Sequence, residues 1–168
     1  MSLILTVERT PSKLLLGWIL ISLVALLFLN RTFYGFAGLS WLMPWLLGMG
    51  VFCWVIFKPS YLHLLSVFIL GILEDVMTGT PLGFHSFGLV ILYFLTQQQR
   101  PGLLQQPFTV IWAAFAFNLA LTLGSMGFVM WLIDIPFTQW VLIVWVMSAV
   151  LFPLVYTILL STFRMLLV

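Results

Sequence analysis

Long apolar runs, separated by brief polar or Gly- and Pro-bearing breaks, occupy almost the whole chain, at about 14–29, 39–57, 61–77, 83–96, 108–133 and 140–163. None alternates polar and apolar residues in the manner of a half-buried strand. A helix crosses the hydrocarbon core with roughly 20 apolar residues. The pattern therefore predicts an all-α polytopic membrane protein, a bundle of about six transmembrane helices forming one domain over 1–168. Lys13 precedes the first run, and Asn30 and Arg31 follow it. Pro44 interrupts the second, Lys58 and Pro59 end it, and Trp41, Trp45 and Trp54 suit headgroup levels near its ends. Phe84 to Leu95 is short for a span, so the fourth is brief, or extended by polar residues at one end, or a re-entrant arm. Gln97 to Gln106 reads as a polar loop. Asn118 falls within the fifth run, and Pro153 within the sixth, where neighbours must satisfy the carbonyl that a proline frees.

Composition strengthens this picture. Hydrophobic residues make up 64% of the 168 and charged residues 6%, with mean hydropathy +1.24, against roughly a quarter charged in soluble domains. The six basic residues are scattered rather than clustered, which argues against nucleic acid as a partner and leaves membrane lipid as the surroundings. They act better as topology signals. With the N-terminus in the cytoplasm, Arg9, Lys13, Lys58, Arg100 and Arg164 fall inside and Arg31 outside, with both termini cytoplasmic. The opening Arg9, Lys13 and Leu14–Leu29 imitate a signal peptide, with Gly35-Phe36-Ala37 as a small-residue site, but Arg31 intervenes and retention of the segment is expected. Cys53 is the one cysteine, and it has no partner for an internal disulfide.

Against this background one stretch stands apart. Gly71 to His85, GILEDVMTGTPLGFH, holds Glu74 and Asp75, two of four acids in the chain. Acids within a span are expensive and raise the question of function. Gly71, Asp75 and Gly79 follow one another at intervals of four, placing them on one helical face as a groove of small residues beside a carboxylate. That groove suits helix packing, with the chain's own helices or a partner's. Pro81, flanked by Gly79 and Gly83, predicts a tight reversal on the outer side of the membrane. A plainer alternative puts both acids at the hydrated interface, with Asp75 capping the turn. His85 is placed to bond either acid, and Asn118 to bond another helix.

Enzymatic motifs are absent: there is no HExxH, no GxSxG and no Gly-rich phosphate loop. His63 precedes Asp75 by a helical distance of about 18 Å, too far to share a metal. A proton relay would need titratable groups in series, and only His85 is near. The expectation is a protein without catalytic activity, cofactor or metal.

The run Gly71-x-x-x-Asp75-x-x-x-Gly79-x-Pro81-Leu82-Gly83 resembles the signature of the rod shape-determining protein MreD family. Span number and spacing are similar over nearly the whole chain, while the motif region is the specific part. Glu74 departs from the pattern, standing where a neutral polar residue is common. The resemblance implies a multi-pass protein of the bacterial cytoplasmic (inner) membrane, a scaffold of the elongation machinery that binds MreC directly. MreB, RodA and a class B penicillin-binding transpeptidase complete that complex, which couples peptidoglycan synthesis to cell shape. It implies Gly71, Asp75, Gly79, Pro81, Leu82 and Gly83 as the partner-binding or helix-packing motif, to which Glu74 is added from the residues themselves, with His85 and Asn118 as polar support. It also implies a fold similar to substrate-binding subunits of energy-coupling-factor transporters, which makes a small-molecule-binding subunit of a vitamin-type transporter the alternative.

Overall fold

The structure, a computed structural model, describes residues 13–34, 44–132 and 140–165. These form six α-helices: α1 (Lys13–Tyr34), α2 (Leu46–Phe57), α3 (Leu64–Thr78), α4 (Phe84–Leu103), α5 (Phe108–Leu132) and α6 (Trp140–Met165). A 3-10 turn, Pro59–Tyr61, joins α2 to α3, and there is no strand among the described residues.

Two boundaries differ from the sequence reading. Gln97 to Gly102 is not a loop, because α4 runs through to Leu103 with Pro101 inside it. The helix of this segment is thus extended by polar residues at its C-terminal end. Arg100 anchors the extension by donating from Nε to the carbonyl of Ile56 at 3.0 Å, which occupies an orphan acceptor at the C-terminal end of α2. The second run is the other difference. Its described helix begins only at Leu46, after Pro44, and residues 39–43, Trp41 among them, lie outside the described residues.

The core forms around α2. Every residue from Leu46 to Ile56 is buried, because α1, α4 and α6 pack against it from different sides. The α3–α4 hairpin is closely packed, and α5 bridges α4 and α6. Phe52 of α2 meets Phe115 of α5 and Phe152 of α6 edge-on at centroid distances of 5.1 and 5.6 Å, while those two stack on each other at 4.2 Å. Trp45 and Trp54 therefore do not form an interfacial belt: both are buried, and the Trp54 indole donates to Ser22 at 2.9 Å. Cys53 is likewise a buried packing residue.

The outer surface is apolar. Ile21, Phe28, Leu65, Val76, Phe117, Phe128, Trp131, Leu142, Val150 and Leu154 are all exposed, whereas Glu74, Asp75, Thr96, Asn118, Thr122 and Ser148 are buried. Two helical segments, Phe108–Leu132 and Val141–Phe163, are long and apolar enough to cross a membrane by length and composition. Pro153 leaves the carbonyl of Ala149 without its helical donor, and the Trp112 indole of α5 supplies one at 2.8 Å.

Candidate functional site

The α3–α4 hairpin starts from a close approach of two backbones. A Cβ on Gly71 would lie 2.3 Å from the Ser86 Cα and 2.6 Å from its nitrogen, so only glycine lets α4 lie this near to α3. Ser86 Oγ completes the contact by donating to the Phe68 carbonyl at 3.2 Å. The groove of small residues at Gly71 is thus filled by the chain's own α4.

Seven residues further on, α3 stops at Thr78. Gly79 adopts the left-handed conformation (φ +73°) as its C-cap, and Gly83 does the same (φ +96°) just before α4. These φ values favour glycine over side-chain-bearing residues. The N–H groups of Gly79 and Thr80 donate to the Asp75 carbonyl at 2.9 and 3.2 Å. Pro81, missing an N–H itself, accepts from Phe84 N at 3.1 Å.

The Asp75 side chain closes this turn. Its Oδ2 accepts the Gly83 N–H at 2.8 Å, and its Oδ1 accepts from Thr80 Oγ1 at 2.9 Å, His85 N at 2.9 Å and His85 Nδ1 at 2.8 Å. A carboxylate only accepts, which assigns the imidazole hydrogen to Nδ1. Asp75 is 0% exposed, so the hydrated interfacial alternative does not hold for it, while its capping of the turn does. With the carboxylate turned inward, Pro81 and Leu82 form the exposed tip, Leu82 at 73%.

Glu74 faces a different neighbourhood. It is buried, and both carboxylate oxygens share the indole N–H of Trp45, at 3.0 and 3.1 Å. Asn30 Nδ2 approaches Oε1 at a longer 3.4 Å. Trp45 is itself fixed, its backbone N–H donating to Ser148 Oγ on α6 at 2.8 Å. Beside Glu74 lies a cavity of about 170 Å³ bordered by Asn30, Trp45, His85, Met126 and Val144.

Two of the sequence-derived residues lie elsewhere. Asn118 pairs with Gln99 through reciprocal amide bonds of 2.9 and 3.1 Å, joining α5 to α4. Gln99 is about 21 Å along α4 from His85 at 1.5 Å per residue, so this pair supports the bundle and not the turn. His63 precedes α3 at its opposite end. Among the described residues no three His, Cys, Asp or Glu side chains come together as a metal site.

Sequence reasoning missed Trp45, Asn30, Thr80 and Ser86 as site members. For Thr80 a signal existed, since a threonine hydroxyl in a turn commonly makes a local hydrogen bond. Trp45 carried a weaker one, because a buried indole N–H needs an acceptor. No family model matches the chain, and no curated protein or solved structure matches it either.

Proposed function

We propose that this chain is a multi-pass scaffold of the bacterial cytoplasmic (inner) membrane, a member of the MreD family that binds MreC without catalysing a reaction. In this reading all six helices belong to the membrane bundle, with α2 enclosed by the others, in the arrangement of energy-coupling-factor substrate-binding subunits. The wider complex holds MreB, RodA and a class B penicillin-binding transpeptidase.

The apolar exterior supports the membrane setting, because soluble monomers rarely expose contiguous apolar patches beyond a few hundred Å². The observation that carries the partner reading is the turn at Gly79–Gly83. Four signature residues have conformational tasks in this hairpin: Gly71 admits α4, Asp75 ties the turn, and Gly79 and Gly83 take left-handed conformations. What the motif presents outward is the Leu82 tip. A fixed apolar tip at the end of a helical hairpin suits contact with the membrane-proximal segment of another protein.

The cavity beside Glu74, about 170 Å³, is below the roughly 300–1,000 Å³ of sites that enclose drug-sized ligands. A small-molecule-binding subunit of a vitamin-type transporter is the alternative reading, and it would need a larger enclosed site than this one. Co-purification with MreC tests the proposal. Leu82→Asp, Gly79→Leu and Pro81→Ala are expected to insert at ordinary levels, recover several-fold less MreC and give rounded cells. Full MreC recovery and normal rods with all three variants would overturn it.

A further inference from the structure

The cavity between Asn30, Trp45, Glu74 and Val144 has hydrogen-bonding capacity of one sign. Trp45 Nε1 and Asn30 Nδ2 are already committed to Glu74, and His85 Nδ1 to Asp75. Acceptors remain. Asn30 Oδ1 is fully buried with no hydrogen-bond partner, on a residue only 7% exposed. The Asn30 amide cannot flip to relieve this without turning its oxygen onto the Glu74 carboxylate. Glu74 itself receives one indole N–H shared between two oxygens and one long amide contact, although a carboxylate offers about four acceptor sites.

Charge points the same way. Asp75 has His85 at ion-pair distance, whereas Glu74 shares the cavity wall with that imidazole without pairing to it, and among the described residues no salt bridge to Glu74 is formed. Buried carboxylates ordinarily have a compensating cation or donors. A group entering this cavity therefore meets acceptors without free donors, which a positively charged hydrogen-bond donor satisfies best. Trp45 and Phe84 on its wall suit such a cation further. The volume of about 170 Å³ is close to that of cavities that hold one benzene-sized molecule, so a small head enters and a large ligand does not.

We propose that this cavity binds a primary ammonium group, with Glu74 and Asn30 Oδ1 accepting its N–H bonds. An ethanolamine phospholipid headgroup and a free small amine both supply that chemistry. A quaternary ammonium carries the charge without N–H donors and is excluded.

Native mass spectrometry of the purified full chain tests this with phosphatidylethanolamine against phosphatidylcholine of the same acyl chains. A parallel thermal-unfolding series uses ethylamine against tetramethylammonium. The variants are Glu74→Gln, Asn30→Ala and Val144→Phe; the last fills the cavity and leaves both acceptors in place. Each is first checked for a monodisperse elution profile. A preference of about tenfold for phosphatidylethanolamine, one decade in affinity, that falls toward unity in the monodisperse variants establishes the site with a lipid source. Stabilisation by ethylamine alone, lost in the same variants, establishes it with a free-amine source. Equal retention of both lipids together with no ethylamine effect overturns the proposal, as does a preference that all monodisperse variants retain.

Discussion

The Asp75 carboxylate accepts the backbone N–H of Gly83 at 2.8 Å, eight residues along the chain, and so holds the end of one helix to the start of the next. Asp75→Asn puts an amide NH₂ where an acceptor is needed, against either Gly83 N–H or the donors of Thr80 and His85. Leaving a buried donor unsatisfied costs about 1–3 kcal/mol. Unfolding of Asp75→Asn in detergent should show a loss in this range. Asp75→Leu, which removes every acceptor, should lose more. Equal stability of both variants and wild type would show that the turn holds without its carboxylate.

At Gly71 the direction is set by space. Gly71→Ala drives a methyl into the Ser86 backbone, which cannot rotate away. The helices have to separate, with an expected destabilisation of about 1–3 kcal/mol or more. Gly124→Ala is the control, because nothing lies within 4 Å of a Cβ there. Similar midpoints for the two variants would contradict the close approach.

Trp45 and Glu74 should be energetically coupled. Trp45→Phe leaves both Glu74 oxygens without the indole donor, and Glu74→Leu removes the need for it. A double-mutant cycle between them is expected to give about 0.5–3 kcal/mol of coupling. Additive losses would mean that the 3.0 Å bond contributes nothing to stability.

A second cycle addresses the proline in α6. Trp112→Phe removes the donor that serves the Ala149 carbonyl, whereas Pro153→Ala restores that carbonyl's helical N–H. The loss caused by Trp112→Phe should therefore be smaller in the Pro153→Ala background. An undiminished loss would assign the effect of Trp112 to its ring packing alone.

The all-helical class was legible from the apolar runs, and the reversal at Gly79–Gly83 from glycine and proline chemistry. The spacing of Gly71, Asp75 and Gly79 identified a shared face, but only coordinates show that α4 of the same chain fills it at Ser86. Polarity misled at Gln97–Arg100, where one glutamine satisfies Asn118 and the arginine caps α2, so polar residues continue a helix instead of ending it. The Trp45–Glu74 bond was beyond reach for a different reason. Its partners are 29 residues apart, and nothing local specifies which indole faces which acid. Tryptophans near span ends look alike in sequence whether they face lipid or core.

The enclosure of α2 has a consequence for assembly. One of its flanks is covered by α6, and Trp45, the residue that precedes its first turn, is tied to Ser148 of that helix. During synthesis the chain makes α1 to α5 before α6 exists, so this innermost element waits with one side bare. Completion of the interior thus depends on α6, which is made after the other five helices, and a chain cut short before α6 would lack not an appendage but the closing wall of its own centre.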